Sequence, residues 1–432
     1  MKLLAQLTAI STSLLLAGFT EALEISGILS SQSAYAFEDK RINQQEWQLD
    51  VEYNDSLLGG DVTGIMRARW DTVSDLNQTE SSTAGSYSSI NTPYLGEHGL
   101  LDLRELYWES STATTYVRLG KQQVVWGEAD GLKLLDVINP QNFREFILDD
   151  FDDSRIPLWM VNAELNIGDD GLLQLLWIPD TTVHELAPNT SPYYFTSPSL
   201  VPKPTGSEAI SVEHAQAPNI SLNNSDAGLR YVFFTGNWDI SLNYLYHFID
   251  APVLRSEVHD HTLLIHQNFE RSNLIGASAS SAFGDLIFRS EWVYETDRYH
   301  RSTAQLPGVV RADQLSFVVG FDWQGWTDQF ISLQLFNTAI LNADINTVAD
   351  ENEKTLSFLW ESNFLNETLK LEWLHIHSIN HSDGVLQPTL KYNWASDVDI
   401  YLGLDVFYGD KDQLFGEFND TDRISIGFEL GF

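Results

Sequence analysis

Residues 422–432, at the C-terminus, alternate between polar and apolar residues at almost every step. One face carries Ile424, Ile426, Phe428, Leu430 and Phe432. Side chains point to opposite faces along a strand, so this stretch predicts a β-strand with one apolar and one polar side. A terminal strand with a free edge invites aggregation, and pairing with the first strand of a barrel removes that edge. The pattern is typical of the closing strand of a transmembrane β-barrel.

The same alternation recurs along most of the chain, from a weak first strand at residues 24–36 to clearer strands after Gly228. Short polar turns alternate with long polar loops, of which 74–99 and 179–226 are the longest. When the links between strands are counted backward from the C-terminus, the alternation of short turns and long loops predicts about 18 strands. The alternative is about 16, because bacterial barrels have an even number of strands. The higher count requires residues 265–283 to form one long strand.

Large aromatic residues gather where the predicted strands end, including Trp238, Phe248, Trp323, Trp394 and Tyr408. Trp and Tyr favour the membrane–water interface, so this placement fits two aromatic girdles. A soluble β-sandwich also places aromatic residues on one face, but it does not need so many strands with aromatic ends. We therefore predict an all-β fold, a single transmembrane antiparallel β-barrel over residues 23–432.

Composition and the N-terminus agree with an exported membrane protein. Residues 1–22 read as a signal peptide, with Lys2 before an apolar stretch and small residues before Ala22. The remaining sequence has no apolar run of about 18 residues, so it predicts no transmembrane helix. The chain lacks cysteine, and its net charge of −37 excludes a nucleic-acid partner. We expect the bacterial outer membrane as its location.

Residues 126–156, here called the inward segment, form the least regular part of the predicted barrel. From Trp126 to Arg155, eight acidic residues stand against Lys133, Arg144 and Arg155, among many apolar residues such as Leu135 and Phe146. A fully solvated loop would not carry so many apolar side chains, so the segment is expected to pack against the barrel interior. The prediction is a constriction or small plug; an outer loop packed on neighbouring loops is the alternative.

Charged residues on the predicted lumen faces suggest how such a pore could select solutes. Arginines on adjacent strands stand opposite Asp50, Glu52 and Asp102, close enough to pair. Such a ladder creates a transverse field across a pore, although structural pairing of lumen charges explains it equally well. The predicted pore-lining residues are Arg67, Arg69, Arg104, Arg118, Gln122, Trp126, Glu128, Asp130, Asp136, Asn139, Asp149, Asp150, Asp152, Asp153 and Arg155.

The strand beginning R-L-G-K-Q at Arg118, followed by W-G-E at Trp126 and N-P at Asn139, resembles a known family. The family consists of proteobacterial outer-membrane barrels with a domain of unknown function, and the similarity is densest over residues 118–158. The stretch is more distantly similar to the alginate-export barrels. The resemblance implies transport of hydrophobic or amphipathic molecules and a partner among inner-membrane lipid-type transporters.

Weaker patterns concern metals. The acids Asp149, Asp150, Asp152 and Asp153, and a second group at Asp410, Asp412, Asp420 and Asp422, are oxygen donors of the type that Ca²⁺ takes. His375 and His377 share one face of a strand. Neither acidic group follows a defined loop pattern, so acids exposed to solvent are the simpler interpretation. For the two histidines, ordinary side chains of the barrel wall are the simpler interpretation. We predict no cofactor, apart from this possible Ca²⁺.

The leading hypothesis is an outer-membrane channel for small polar or amphipathic solutes, including lipid-like ones. A structural or adhesive barrel with a closed pore is the alternative. A lipid-acting barrel enzyme would need a hydroxyl and a histidine on adjacent lipid faces, and such pairs are scarce, so we predict no enzyme. Expected partners are outer-membrane lipid and lipopolysaccharide, the barrel-assembly machinery through Phe432, and a small-molecule substrate.

Overall fold

The computed structural model describes residues 24–73, 87–88, 90, 94–95, 98–202, 209–213, 215, 217–304 and 306–432. The predicted signal peptide, residues 1–22, lies outside the described residues. Within the described ranges, no helix has the length and apolar character needed to span a membrane.

Eighteen antiparallel strands close into one barrel. In chain order they are β1 (Glu24–Ala36), β2 (Arg41–Leu57), β3 (Gly60–Asp71), β4 (Gly99–Ser111), β5 (Thr115–Gln122), β6 (Leu158–Ile167), β7 (Gly171–Ile178), β8 (Asp226–Thr235), β9 (Trp238–Phe248), β10 (Arg271–Phe283), β11 (Leu286–Arg301), β12 (Val309–Trp323), β13 (Gln329–Leu341), β14 (Asn352–Phe364), β15 (Leu369–Ser378), β16 (Gly384–Ala395), β17 (Val398–Tyr408) and β18 (Arg423–Gly431). The predicted all-β barrel and the higher strand count are confirmed.

The barrel closes between its first and last strands. β1 pairs with β18 from Ile28 opposite Gly431 to Ala36 opposite Arg423. Gly27 and Phe432 exchange two backbone hydrogen bonds of 2.9 Å. The C-terminal strand therefore has a partner on both sides, as its alternating pattern predicted.

The apolar face of the barrel wall points outward and its polar face points inward, which is the reverse of the arrangement in a soluble protein. Large apolar residues stand exposed on the outside, among them Trp47, Tyr53, Leu242, Tyr244, Trp292, Phe321, Leu333, Leu402 and Ile426. Polar residues are buried on the inside, among them Ser241, Asn243, Glu291, Ser332, Gln334, Ser357 and Ser425. An apolar band around a closed barrel with a polar interior is the architecture of outer-membrane barrels, and this chain is located there.

The shortest turns lie at one end of the barrel and the long loops at the other. The turns, such as Gly236 with Asn237 between β8 and β9, lie at the end that holds both termini. By the usual orientation of such barrels this is the periplasmic end, and the long loops mark the outer end.

The expected long strand at residues 265–283 is wrong. β10 covers only Arg271–Phe283, and the preceding strand Thr262–Asn268 belongs to a separate three-stranded sheet beyond the outer end. There it pairs antiparallel with Val253–His259 and parallel with Ala209–Val212. A strand in a small external sheet alternates in the same way as a barrel strand, so the period could not separate the two.

The inward segment leaves the wall after β5 and returns to it at β6. It contains the two-residue strand Asn142–Phe143, which pairs parallel with Glu185–Leu186 of the loop after β7. A short helix, Phe151–Ser154, follows, and an isolated bridge joins Gln141 to Arg155.

Candidate functional site: the lumen and the inward segment

Asn139 fastens the two ends of the inward segment together. Its side-chain oxygen accepts a hydrogen bond of 2.8 Å from the backbone of Val124, near the entry. Its side-chain nitrogen donates to the carbonyl of Ile156, at the exit, at 2.9 Å. Asn139 is buried, so these two bonds satisfy an amide that would otherwise be costly to bury. The segment is thus a closed loop rooted between β5 and β6.

The first half of the segment reaches the opposite wall at Glu291 on β11. The Glu291 carboxylate accepts hydrogen bonds from the backbone N–H groups of Glu128 and Leu135, the latter at 3.0 Å. Arg289, on the same strand, donates to the carbonyl of Glu128 at 3.0 Å. Backbone N–H groups that bond a buried carboxylate hold the chain firmly in place.

Asp130 is fastened to two further strands of that wall. Its backbone N–H donates to Gln334 on β13 at 3.1 Å, and Gln334 donates back to its carboxylate at 3.0 Å. The hydroxyl of Ser357 on β14 donates to the Asp130 carbonyl at 3.2 Å. Ser332, 3.4 Å from the Asp130 carboxylate, is close to the periplasmic start of β13. The segment therefore crosses the lumen and descends deep into the barrel.

Apolar contacts support this path. Leu135 and Trp126 are 0% and 1% exposed and pack against lumen-facing residues of several strands, namely Leu158, Met160, Leu176, Leu245, Leu274 and Val293. The Trp126 ring donates to Gln174 at 2.7 Å and lies over Gly228, where an added Cβ would stand 3.0 Å from the ring. Burying each such side chain contributes roughly 1.5–3 kcal/mol.

The second half of the segment lies under the outer loops. The Phe146 ring lies 4.7 Å from Phe418 and 5.9 Å from Phe415, both in the loop after β17, and 5.8 Å from Phe195, in the loop after β7. The Phe407 ring of β17 is 6.1 Å away. These centroid distances lie in the range of favourable aromatic pairs. The cluster joins the segment, two outer loops and the wall.

Buried ion pairs surround this aromatic cluster. Arg144 of the segment pairs with Glu46 on β2 at 2.8 Å. Glu145 pairs with Arg423 on β18 at 2.7 Å, and Arg423 also pairs with Asp405 on β17 at 2.7 Å. The segment is thus tied by charge to the strands on either side of the closing seam.

Asp149 and His184 have shifted pKa values. Burial, followed by the nearby carboxylate of Glu145, raises the pKa of Asp149 to about 6. Burial lowers the pKa of His184 to about 3, which leaves its imidazole neutral. The geometry agrees, because the backbone N–H of Gln141 donates to Nδ1 of His184 at 2.8 Å and that nitrogen must be unprotonated.

The structure brings three of the four predicted lumen arginines beside residues 150–153, here called the tip of the segment. Arg67 makes two hydrogen bonds to Asp50, of 2.7 and 2.9 Å, and one of 2.7 Å to Asp153. Arg104 donates to the carbonyl of Asp153 at 3.3 Å and to that of Asp152. Arg69, beside them on β3, donates to Gln48 at 2.8 Å.

The fourth arginine, Arg118, lies apart from this group. It pairs with Glu109 on β4 at 2.7 Å and lies over the ring of Tyr107 at 4.3 Å, close to the periplasmic turn between β4 and β5. Gln122, at the end of the same strand, is buried and donates to the carbonyl of Met160 at 3.3 Å. Gln122 thus lies at the root of the segment, whereas Arg118 lies near the periplasmic turn and apart from the segment.

Other predicted residues hold the segment together from within. Asp136 accepts a hydrogen bond from Arg155 at 2.8 Å, and Lys133 stands 3.8 Å from the same carboxylate. Asp152 also pairs with Arg155, yet its side chain is 91% exposed. Asp150 is exposed beside it. Asp150 and Asp152 are therefore the most exposed acids of residues 150–153.

Several residues that contact the segment or line the lumen were not predicted as site residues. The alternation placed Glu291, Gln334 and Ser357 inside, but the period of one strand does not reveal which distant segment meets it. Two half-exposed lysines, on β15 and β16, were likewise not predicted as site residues. Lys370 pairs with Glu361 at 2.9 Å, and Lys391 pairs with Glu429 at 2.9 Å.

The residues considered for metals have other partners. Across the described ranges, no group of three or more histidine, aspartate or glutamate residues is placed to hold a metal ion. Nε2 of His375 and Nδ1 of His377 each lie 2.8 Å from the hydroxyl of Tyr408. In the second acidic group, Lys411 pairs with Asp420.

The fold and the lumen define an outer-membrane β-barrel with an internal segment. The chain belongs to the family described as "Protein of unknown function (DUF1302)", which it matches over residues 48–432. This membership confirms the resemblance to a family of unknown function. No protein among the curated sequences matches the chain.

Two solved structures share the fold at low sequence identity. OccAB2 of Acinetobacter baumannii is 11% identical, with a TM-score of 0.54 over 96% of this chain and 99% of that one. OccK8 (OprE) of Pseudomonas aeruginosa is 11% identical, with a TM-score of 0.52 over 96% of this chain and 99% of that one. At this identity the likeness concerns the fold alone.

Proposed function

We propose that the protein is an outer-membrane channel for small polar or amphipathic solutes, including lipid-like ones, and that the inward segment narrows its lumen. The observation that carries this proposal is the crossing of the lumen by the segment, seen in the bonds from Glu128 and Asp130 to β11, β13 and β14. Barrels of about this strand number have a lumen wide enough for water, and an internal segment sets its narrowest point.

The charges at the tip support a selective passage. Arg67 and Arg104 hold Asp153 from one side, while the neighbouring Asp150 and Asp152 are exposed. Rings of charged side chains in a narrow pore select solutes by the sign of their charge and by their polarity.

The predicted partners remain predictions. They are lipopolysaccharide, the assembly machinery through Phe432 and an inner-membrane lipid-type transporter.

Planar-bilayer recordings of the purified protein test this function. Discrete conductance steps in KCl are expected. Replacing Arg67 and Arg69 by alanine removes two cations and frees Asp50 and Asp153, so the reversal potential in a KCl gradient should move toward greater preference for K⁺.

Arg311→Ala is the control for this measurement, because Arg311 is exposed and pairs with Asp297 near the outer end of the barrel. This variant should keep the wild-type reversal potential. An unchanged potential in the Arg67→Ala, Arg69→Ala double variant would count against a path along these arginines. Absence of any conductance in the wild type would instead favour the closed structural barrel.

A further inference from the structure

Two histidines and a tyrosine form a cluster on the outward face of the barrel, at its outer end. His375 and His377 take alternate positions on β15, and Tyr408 is the last residue of β17. Ile376, between the two histidines, is buried in the aromatic cluster around Phe146, so the two imidazoles point outward. The three ring centroids lie 5.9, 6.0 and 6.1 Å apart. Three titratable rings thus meet on a face that is mostly apolar.

Gly384 lets the tyrosine reach the histidines across β16. In the wall, Gly384 stands opposite His377 on one side and opposite Tyr408 on the other. A Cβ added at Gly384 would collide with the hydroxyl of Tyr408, so the tyrosine side chain lies over this glycine. A larger residue at this position would separate the tyrosine from β15. Three adjacent strands therefore build the cluster.

Each imidazole of the cluster bonds Tyr408 through one of its two nitrogens. Nε2 of His375 and Nδ1 of His377 each lie 2.8 Å from the hydroxyl oxygen. A hydroxyl donates one hydrogen, so Tyr408 donates to one ring and accepts from the other. The ring that accepts carries its own hydrogen on its second nitrogen, and the other ring does so once it is protonated. Both rings are partly exposed, so the protonated cluster offers two N–H donors and one positive charge.

Other outward-facing tyrosines bond to different partners. The hydroxyl of Tyr294 donates to the carboxylate of Asp313 at 2.7 Å. The hydroxyl of Tyr244 donates to the side-chain oxygen of Asn273 at 2.9 Å. A place in the aromatic girdle explains a tyrosine at the membrane surface, but it does not explain two basic partners. The cluster at Tyr408 is therefore distinct from the rest of the girdle.

Lys354 adds a positive charge beside the cluster. On β14, Leu356 stands opposite His377, and Lys354 is two residues closer to the outer end on the same face. Lys354 is exposed. Residues placed diagonally across two strands are within reach of a long side chain. Ammonium and imidazole N–H groups form charge-assisted hydrogen bonds with phosphate oxygens, so this patch suits a phosphate.

We propose that this cluster, together with Lys354, binds the phosphate group of a lipid in the outer leaflet. The cluster lies where the strands leave the apolar band, which is the level of the lipid headgroups. Farther toward the periplasm on the same face, Leu390 and Leu402 are exposed and would contact the acyl chains. The chain has 61 acidic residues against 24 lysines and arginines, so an anionic headgroup needs a local basic site. The inference goes beyond the proposed channel, because all of these groups lie outside the lumen.

The His375→Leu, His377→Leu double variant tests this site. Leucine suits a position that faces lipid, so the barrel should fold. The probe is diphosphoryl lipid A, titrated onto the detergent-solubilised protein and followed by native mass spectrometry. The double variant should bind the probe about tenfold more weakly than the wild type, as the loss of hydrogen bonds to a charged group predicts. Lys354→Met, a second variant that leaves the rings in place, should also weaken binding.

Tyr294→Phe is the matched control, because it removes an outward hydroxyl whose partner is a carboxylate, and it should bind the probe as the wild type does. Lipid A stripped of its phosphates should bind the wild type as weakly as the probe binds the double variant. Equal binding of the two lipids, or unchanged binding in both site variants, overturns the proposal. Inorganic phosphate that displaces the probe at equal concentration would overturn the lipid as the occupant.

Discussion

Single glycines show where the wall departs from regular pairing. Gly120 and Gly236 both have a positive φ, +135° and +60°, but their surroundings differ. An added Cβ at Gly236, in a periplasmic turn, would meet no atom within 4 Å, whereas at Gly120 it would meet the backbone of β4. The neighbouring strand therefore constrains residue 120 to glycine, whereas no neighbouring atom constrains residue 236.

Gly120→Ala should lower the stability of the barrel more than Gly236→Ala does. Both substitutions place an alanine at positive φ, but only that at Gly120 also forces β4 and β5 apart. Strained backbone of this kind costs about 1–3 kcal/mol, to which the steric contact adds. Urea unfolding of the two variants in detergent micelles measures the difference. Equal losses would show that the close approach of β5 to β4 does not constrain residue 120.

Asp149 gives the inward segment a pH dependence. Its pKa rises on folding from 3.8 to about 6, because burial and Glu145 disfavour the charged form. A group that holds its proton more tightly when folded stabilises the fold at low pH. That contribution is lost as pH rises from about 4 to about 6, because the buried carboxylate must then ionise.

Hydrogen exchange of residues 142–150, corrected for intrinsic rates, should therefore be faster at pH 7.5 than at pH 5. Asp149→Asn cannot ionise and should remove most of this difference. A pH dependence that survives in the Asp149→Asn variant would assign the effect to another group.

The elements differ in how far the sequence predicted them. Strands such as β9 and β18 followed from their strict alternation, because one face meets lipid along the whole strand. The external strand Thr262–Asn268 has the same period, so it was joined to β10 in error. The inward segment was expected inside from its apolar residues. Its contacts with Glu291 and Gln334 depend on residues more than 150 positions away, which no local pattern encodes.

The outer half of the inward segment depends on buried ion pairs at the seam. Arg423→Met leaves Asp405 and Glu145 without their shared cation, and breaking a buried pair costs about 3–5 kcal/mol. We expect a lower midpoint of urea unfolding and faster exchange in residues 142–150. Lys411→Met, which removes an exposed partner of Asp420, is the control and should unfold as the wild type does. Similar midpoints for the two variants would mean that the seam pairs do not hold the segment.

At the scale of the whole molecule, the inward segment packs against one side of the barrel wall, and partly exposed lysines lie on another. The strands around β5 to β11 pack tightly against Trp126 and Leu135. The periplasmic halves of β14 to β18 carry Lys370 and Lys391 with half-exposed side chains. Water therefore reaches these two lysine side chains.

Single-channel conductance tests the central claim, that the inward segment narrows an open channel. Replacing residues 127–154 by a short glycine–serine linker removes the part of the segment that crosses the lumen. Replacing the external hairpin, residues 253–268, by the same linker is the matched control. The conductance should rise severalfold in the first variant and remain at the wild-type value in the second. A first variant that folds and conducts as the wild type does would contradict this account.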